Sequence, residues 1–265
     1  MNLFYIGKKK APETIPLQET NLIGIASIAK SCGTVKEFLQ KISLPVVELN
    51  KIEKETRGQS DNATWYEARK GRVTASNFYR VHTKIQSMKK NPKTDIRALL
   101  KSLIDPPVLG HLDQISHGSK NEKTAVSHLV VLLTAQGHHN VSVTPCGLFV
   151  HPDKQYLGAS PDGIVSCSCC STRLLEVKCP TKPVAELAYL ESDGCLKKKS
   201  SYYGQVQGQM LITNMQECYF FVYESETSNK LQLITYDKQF SESLEASLEL
   251  FYQQFMAPQL LGKKL

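Results

Sequence analysis

The sequence predicts an α/β protein with a mixed central β-sheet flanked by helices and a helical N-terminal region. Apolar residues recur at helical spacing through residues 21–57 and again through 119–135. From residue 141 onward, short β-branched and aromatic runs separated by Gly and Pro alternate with further amphipathic segments. Helices first, then strands interleaved with helices, indicate one sheet that helices cover.

Composition narrows the class of protein. The 265 residues suffice for one large domain or two small ones with a substantial core. Hydrophobic residues make up 41% and charged residues 22%, which excludes intrinsic disorder, collagen and a disulfide mini-scaffold. No run of about 18 apolar residues occurs, so we expect no membrane span. Three lysines follow the apolar N-terminal patch, the reverse of a signal peptide, so we expect an intracellular protein, nuclear if its host is eukaryotic.

The charge balance is basic. Lys and Arg number 32 against 25 Asp and Glu, a net charge of +7 at pH 7. This balance is compatible with a polyanionic partner and equally with an ordinary basic protein. The eight cysteines are too few for a disulfide scaffold, and in a reducing compartment we expect them to be thiols.

The elements follow in chain order. Helices are expected within 21–57, at 65–81 with a turn at 70–72, at 95–104, and at 119–135, where Gly137 ends the helix. Strands are expected at 141–143, 147–150, 163–167 and 174–178. Beyond them we expect helices at 184–191 and 202–212, a hairpin of strands at 217–223 and 231–236, and a helix at 240–255.

Acidic residues mark two neighbouring strands. Asp162 precedes one strand, and the next contains Glu176-Val177-Lys178. Because side chains alternate along a strand, Glu176 and Lys178 share a face while Val177 packs on the other. A hairpin would place Asp162 beside Glu176, and two carboxylates 4 Å apart repel by roughly 4 kcal/mol at an effective dielectric near 20. A cation such as Mg²⁺ or Mn²⁺ would let both stay ionised, and Lys178 would orient a water or stabilise developing charge.

Each of these signals has a plainer interpretation. A Glu-x-Lys pair is usually a solvated strand face. Glu122, near the start of its predicted helix, would by itself only complement the helix dipole. Gln205 and Gln209 lie four residues apart on a predicted helix, where they form either a polar face or a site for water or phosphate.

Five motifs in order resemble the YqaJ-type viral recombinase nucleases, relatives of phage lambda exonuclease in the PD-(D/E)XK superfamily. The motifs are Trp65-x3-Arg69-x-Gly71-x2-Thr74-Ala75-Ser76, Gly118-x2-Asn121-Glu122-x2-Ala125, Ser160-Pro161-Asp162-Gly163, Glu176-Val177-Lys178-Cys179-Pro180 and Tyr202-x2-Gln205-Val206-Gln207. They run through more than half of the chain. The resemblance implies a restriction-endonuclease-like core, with an exonuclease-like domain at 61–265 behind an N-terminal helical extension at 1–60.

The resemblance also implies a metal-dependent deoxyribonuclease. Asp162 and Glu176 would bind Mg²⁺, with Mn²⁺ also possible, and Val177 would add its backbone carbonyl. Lys178 would position the attacking water. The other two catalytic candidates are Glu122, which would support the metal or its water, and Gln205, which would hold a water or the substrate.

A second set of residues resembles the pocket that holds a terminal 5′-phosphate in lambda exonuclease. Arg69, Ser76 and Ser160 match its positions, and a guanidinium with hydroxyls suits a phosphate dianion. Tyr202 is grouped with these DNA-binding candidates. The alternatives are that Arg69 is a surface helix residue and Ser76 a helix N-cap.

The family therefore implies a 5′-to-3′ exonuclease acting on duplex DNA ends in recombination or repair. An endonuclease, or a catalytically inactive DNA-binding module of the same fold, is the alternative. A single-strand annealing protein as partner and assembly into a homo-oligomer are further expectations.

Four cysteines near the acidic strands raise the possibility of zinc. Cys167, Cys169, Cys170 and Cys179 could supply four thiolates. Their spacing is not that of a usual zinc knuckle, so free thiols in a hairpin turn are the favoured interpretation.

Two further groups of residues have no ligand spacing. The histidines are interpreted as solvated loop residues: His138, His139 and His151. The lysines at 197–199 form either a solvated loop or a contact to the DNA backbone.

Overall fold

Two β-sheets organise the chain in a computed structural model that describes residues 24–105 and 113–263, without the side chains of 113–120. The larger sheet contains β2 (Ser142–Thr144), β5 (Gly163–Cys167), β6 (Cys170–Lys178), β7 (Glu217–Tyr223) and β8 (Asn229–Thr235). Its order is β2-β5-β6-β7-β8, with β6 and β7 parallel and the other neighbours antiparallel. The smaller sheet contains β1 (Val73–Thr74), β3 (Phe149–Val150) and β4 (Leu157–Ala159), in which β1 and β4 run parallel.

Helices make up the rest of the described core. They are α1 (Ile25–Ala29), α2 (Val35–Lys41), α3 (Val46–Glu55), α4 (Ala63–Arg69), α5 (Ala75–Lys90), α6 (Arg97–Ile104), α7 (Asp113–Ala135), α8 (Ser201–Thr213), α9 (Lys238–Phe251) and α10 (Ala257–Leu260). Single 3-10 turns lie at Gln59–Asp61 and Val184–Glu186, and a π-helical turn at Tyr252–Met256 follows α9. No described helix has both the length and the apolar character to cross a membrane.

Strand β7 shows why helices cover both faces of the larger sheet. Its side chains are buried along nearly the whole strand, and they divide alternately between two hydrophobic clusters. One cluster, which includes residues of α5, α8 and α9, takes Cys218, Phe220 and Val222. The other, which includes residues of α7, takes Tyr219, Phe221 and Tyr223. The expected mixed sheet flanked by helices is confirmed.

Close packing of α8 on α5 depends on two glycines. A Cβ at Gly208 would lie 2.3 Å from the Phe78 ring, and one at Gly204 would lie 2.7 Å from Cβ of Tyr79. Only a residue without a side chain lets the helix backbones approach this closely. On its other side, α8 contacts β6 of the larger sheet.

The N-terminal helices pack onto the small sheet. The Glu53 carboxylate of α3 accepts a hydrogen bond from the backbone N–H of Gly147 at 3.0 Å, and the Thr56 hydroxyl accepts one from the N–H of Leu148 at 2.7 Å. Ile25 and Phe38 belong to the main hydrophobic cluster. These contacts join residues on both sides of position 60, and the division into 1–60 and 61–265 stays a prediction.

The prediction of a helix at 184–191 is wrong. Residues 184–191 form only the turn at Val184–Glu186, after which Leu190 pairs with Leu196 in an isolated β-bridge. Both leucines are buried in the main cluster, so tertiary packing overrides the local helical propensity.

Smaller differences from the predicted elements concern two short strands and the starts of two helices. Strands β1 and β4 were not predicted, because two or three residues are too short for a period-two pattern. Helix α7 begins earlier than expected, at Asp113. Helix α4 also begins earlier than expected, at Ala63. Its N-cap is Asn62, whose side chain accepts from the N–H of Thr64 at 2.9 Å.

Candidate active site

The hairpin of β5 and β6 brings Asp162 to Glu176, as predicted. Gly163 pairs with Leu175, and the backbone N–H of Asp162 donates to the Leu175 carbonyl at 3.0 Å. The N–H of Val177 then donates to Oδ2 of Asp162 at 2.6 Å. This carboxylate is therefore bound to the backbone of the strand that carries Glu176.

Glu176 is a buried carboxylate with three side-chain donors. It is 1% exposed and lies on the face of β6 that packs against α8. Its Oε1 accepts from Lys178 Nζ and from Gln205 Nε2 at 2.7 Å, and its Oε2 accepts from Gln209 Nε2 at 2.6 Å. Burial of a carboxylate without such donors would be costly, so the two glutamines hold Glu176 in one orientation.

Gln209 was considered from the sequence only as part of a glutamine face with Gln205, and not as a catalytic residue. Its position four residues after Gln205 places both amides on one helix face. Gln207, between them, points elsewhere: it donates to the Thr235 carbonyl at 2.9 Å and accepts from the N–H of Asp237 at 2.8 Å.

Lys178 lies between the carboxylates and an aromatic ring. Burial lowers its pKa, but the Glu176 and Asp162 carboxylates outweigh burial, so the net pKa of Lys178 is raised and the side chain is an ammonium ion. Its Nζ lies 4.8 Å from the centre of the Tyr202 ring, a cation–π distance. Tyr202 itself packs edge-on against Tyr189, with ring centres 4.7 Å apart.

Glu122 reaches the same cluster from α7. Burial raises its pKa, and the negative charge of Glu176 raises it further, whereas Lys178 lowers it. Because α7 begins at Asp113, Glu122 lies inside the helix and not in its first turn. The interpretation as a helix-dipole residue is therefore wrong.

The donor set fits a hard divalent cation. Burial raises the pKa of Asp162 well above its ordinary value, and Glu176 and Glu122 raise it further. Three carboxylates against the one ammonium of Lys178 leave two negative charges, which one divalent ion would neutralise. Carboxylate oxygens with the Val177 carbonyl are the ligand type that Mg²⁺ or Mn²⁺ takes.

A second group of side chains adjoins Asp162. The indole Nε1 of Trp65 donates to Oγ of Ser160 at 2.9 Å, and the Arg69 guanidinium lies 4.0 Å from the Trp65 ring centre. Burial lowers the pKa of Arg69 to about 10, and within the described residues no carboxylate forms an ion pair with it. A half-buried guanidinium without a described counter-ion would suit an anion.

Ser76 lies at the same sheet edge. Strands β1 and β4 run parallel, with Thr74 opposite Gly158, so the beginning of α5 adjoins the residues that follow β4. The N-cap of α5 is Thr74, and Ser76 is exposed in the first helical turn with its Oγ 3.4 Å from Oγ1 of Thr74. The interpretation of Ser76 as an N-cap is wrong.

The four cysteines do not form one group, and His151 is not a solvated residue. Cys179 follows β6 near the carboxylates, and its pKa is raised to about 11 by burial and by the charges of Glu122 and Asp162. The other three cysteines lie at the opposite end of the hairpin, so the set of four considered as a possible zinc site does not assemble. His151 is buried, and its Nδ1 accepts from the N–H of Lys154 at 3.0 Å, so its interpretation as solvated is wrong.

The lysines at 197–199 are only partly free for contacts with DNA. Lys197 donates to the Ala188 carbonyl at 2.8 Å, and Lys198 pairs with Asp237 at 3.3 Å while staying exposed. Contact with the DNA backbone stays a prediction for this loop.

Comparison with known proteins gives a family match. The model of the YqaJ-like viral recombinase domain matches residues 64–216. The uncharacterized protein R354 of Acanthamoeba polyphaga mimivirus is 32% identical over 114 residues, which are 40% of this chain and 19% of the relative. The chain thus matches about a fifth of that relative's length.

Solved structures share the fold. The alkaline exonuclease LHK-Exo of Laribacter hongkongensis is 27% identical, with a TM-score of 0.57 over 74% of this chain and 93% of that one. LHK-Exo has also been solved in complex with dAMP. The Shutoff and Exonuclease Protein of Kaposi's sarcoma-associated herpesvirus is 11% identical, with a TM-score of 0.53 over 85% of this chain and 74% of that one. At that identity the likeness shows the fold alone.

Proposed function

Because the chain belongs to the YqaJ-like viral recombinase domain family, we propose that it is a metal-dependent deoxyribonuclease. It hydrolyses duplex DNA from its ends in the 5′-to-3′ direction, in recombination or repair. The observation that carries this proposal is the convergence of Asp162, Glu176, Lys178 and Gln205 at one end of the β5–β6 hairpin. The similarity to an alkaline exonuclease supports it.

Asp162, Glu176 and the Val177 carbonyl are the groups that would hold Mg²⁺ or Mn²⁺. When bound, such an ion polarises a phosphoryl oxygen and acidifies a water. Lys178, held by Glu176, directs an ammonium at the position where a phosphodiester gains negative charge during attack. Glu122, whose pKa is raised, holds a water or its proton beside the same centre.

The pocket of Arg69, Ser160 and Ser76 accounts for a preference for DNA ends. A terminal 5′-phosphate dianion would supply the counter-ion that Arg69 lacks among the described residues. Ser160 lies two residues before Asp162, so a phosphate held there sits close to the hydrolytic centre. Tyr202, whose ring lies beside Lys178, would contact the sugar or base next to the scissile bond.

Degradation of linear duplex DNA tests the proposal. Substrates with 5′-phosphate or 5′-hydroxyl ends are incubated with Mg²⁺, Mn²⁺ or EDTA. We expect metal-dependent shortening that is faster with the 5′-phosphate and is lost in Asp162→Asn. The matched control is Asp153→Asn, which removes an exposed carboxylate outside the cluster and should retain wild-type activity.

Two other outcomes identify the alternatives. Cleavage of covalently closed circles would favour an endonuclease of the same fold. DNA binding without cleavage in either metal would favour a catalytically inactive binding module and overturn the proposed activity. The annealing-protein partner and the homo-oligomer stay predictions, which co-purification and light scattering would check.

A further inference from the structure

Three cysteine sulfurs and one histidine nitrogen converge at the turn of the β5–β6 hairpin. Nδ1 of His138 lies 3.3 Å from Sγ of Cys169, 3.5 Å from Sγ of Cys170 and 3.7 Å from Sγ of Cys167. Sγ of Cys169 is 3.4 Å from that of Cys167 and 3.8 Å from that of Cys170. All four ligand atoms lie within 4.8 Å of one another.

Five of the six separations, at 3.3–3.8 Å, are close to those of a tetrahedral zinc site. With Zn–S bonds of about 2.3 Å and Zn–N bonds of about 2.0–2.1 Å, tetrahedral angles place sulfurs about 3.8 Å apart and nitrogen about 3.5 Å from sulfur. The sulfurs are too far apart for a disulfide, whose S–S bond is about 2.05 Å, and all eight cysteines are free. Three thiolates with one imidazole favour zinc over Mg²⁺, which takes oxygen ligands.

The backbone on both sides is shaped to bring these ligands together. Helix α7 ends in a Schellman motif, in which Gly137 has φ of 89° and the N–H of His138 donates to the Leu133 carbonyl at 3.0 Å. This turn directs His138 toward the hairpin. Ser168, in the hairpin turn, donates from its N–H and its hydroxyl to the His139 carbonyl at 2.9 and 3.1 Å.

We propose that His138, Cys167, Cys169 and Cys170 form a structural zinc site. It joins the C-terminal end of α7 to the turn of the β5–β6 hairpin. Glu122 lies farther back along α7, and Asp162 and Glu176 lie at the other end of the hairpin. The ion lies outside the proposed hydrolytic centre and stabilises the relative placement of the two elements. The site differs from the four-cysteine set considered from the sequence, because His138 takes the place of Cys179.

Metal analysis of the purified 265-residue chain tests the site. After expression in zinc-supplemented medium, we expect about one zinc per chain by mass spectrometry of the metal content. Cys167→Ser, Cys170→Ser and His138→Ala should each lower the zinc content at least tenfold. The matched controls are His139→Ala and Cys195→Ser, which remove an exposed neighbouring imidazole and an exposed thiol and should retain the zinc.

Asp162→Asn separates this proposal from the proposed nuclease activity. The variant should keep its zinc whether or not the wild-type protein cleaves DNA. Loss of zinc in Asp162→Asn but not in His138→Ala would locate the ion at the carboxylates and overturn the proposal.

A spectroscopic measurement covers the case in which a ligand variant does not fold. Reduced wild-type protein stripped of metal should bind Co²⁺ and show the visible d–d bands of a tetrahedral thiolate site. Added Zn²⁺ should displace the Co²⁺, so that these bands disappear. Wild-type protein that contains less than about a tenth of an equivalent of zinc and shows no such Co²⁺ spectrum would refute the site.

Discussion

At the residue scale, the candidate active site depends on how Glu176 is held. Its two oxygens receive Lys178, Gln205 and Gln209, so each glutamine of the α8 face has a defined task. Gln209 Nε2 is bonded, whereas its Oε1 is buried without a partner among the described residues. An orphaned buried oxygen costs stability, so we infer that Gln209 is retained for its donor.

Replacing Gln209 should lower both stability and activity. Gln209→Met removes the orphaned oxygen but also takes a donor from the buried Glu176 carboxylate, so we expect the free energy of unfolding to fall by about 1–3 kcal/mol. Turnover should fall about 10- to 100-fold, because a hydrogen bond to a charged group is worth roughly 1.5–3 kcal/mol. Urea unfolding and initial cleavage rates measure the two effects. Gln216→Met, on the exposed surface after α8, is the control, and an unchanged turnover in Gln209→Met would contradict the assigned role.

Arg69 should determine the preference for a terminal phosphate. In Arg69→Ala we expect cleavage rates on 5′-phosphate and 5′-hydroxyl DNA to become equal, while the rate on 5′-hydroxyl DNA changes little. Arg69→Lys should restore only part of the preference, since an ammonium lacks the planar fork and stacks less well on Trp65. Single-turnover rates on both substrates provide the measurement. A preference that survives in Arg69→Ala would remove Arg69 from the pocket.

At the element scale, α8 connects the fold to the site. One face approaches α5 through Gly204 and Gly208, and another presents Gln205 and Gln209 to β6. The small residues and the amides are interleaved, so the close helix contact positions the donors that hold Glu176.

A methyl group on α8 should therefore destabilise the protein. Gly208→Ala places a Cβ 2.3 Å from the Phe78 ring, and we expect a loss of about 1–3 kcal/mol in the free energy of unfolding from overpacking. Gly33→Ala is the matched control, because its Cβ would meet only a side-chain oxygen of Glu37 at 3.8 Å. Thermal and urea denaturation of both variants give the comparison. Equal stability of the two would show that α8 can move away from α5 at little cost.

Element prediction succeeded where a short apolar run stood between turn residues. Strands 163–167 and 217–223 were predicted closely, because each is such a run with β-branched or aromatic residues. The helix at 184–191 failed, since Leu190 and Leu196 pair across a loop that the main cluster buries. Local pattern does not report such nonlocal pairing.

At the scale of the whole molecule, one sheet separates two hydrophobic clusters, and α9 joins the main cluster to the small sheet. Glu245 of α9 lies 3.1 Å from Lys154 and 3.5 Å from His151, both in the turn between β3 and β4. The hydrogen bond to His151, followed by that to Lys154, lowers the pKa of Glu245 to about 2. This group of side chains attaches the C-terminal helix to the strands around the site.

Acid should weaken this attachment. Since the pKa of Glu245 is lower in the folded chain than its ordinary 4.5, its stabilisation is complete above about pH 5 and is lost as pH falls toward 2. We expect Glu245→Gln to lower the free energy of unfolding at pH 7 by about 1–3 kcal/mol, with the difference from wild type shrinking between pH 5 and 3. Urea unfolding across this pH range tests it, with the exposed Glu242→Gln as control. A difference that is constant with pH would contradict the assigned pKa.

The sequence by itself determined the α/β class, the hairpin that joins Asp162 to Glu176, and the opposite directions of Val177 and Lys178. Those features follow from a period of two and from chain proximity, both of which are local. The tertiary structure decided which distant side chains meet them. Gln209 contacts Glu176 across 33 positions and Trp65 contacts Ser160 across 95, and His138 joins Cys167 and Cys170 from another element. These contacts depend on how the helices and strands pack. Core burial and loop closure bring the distant side chains together, and no short-range spacing in the sequence encodes either of them.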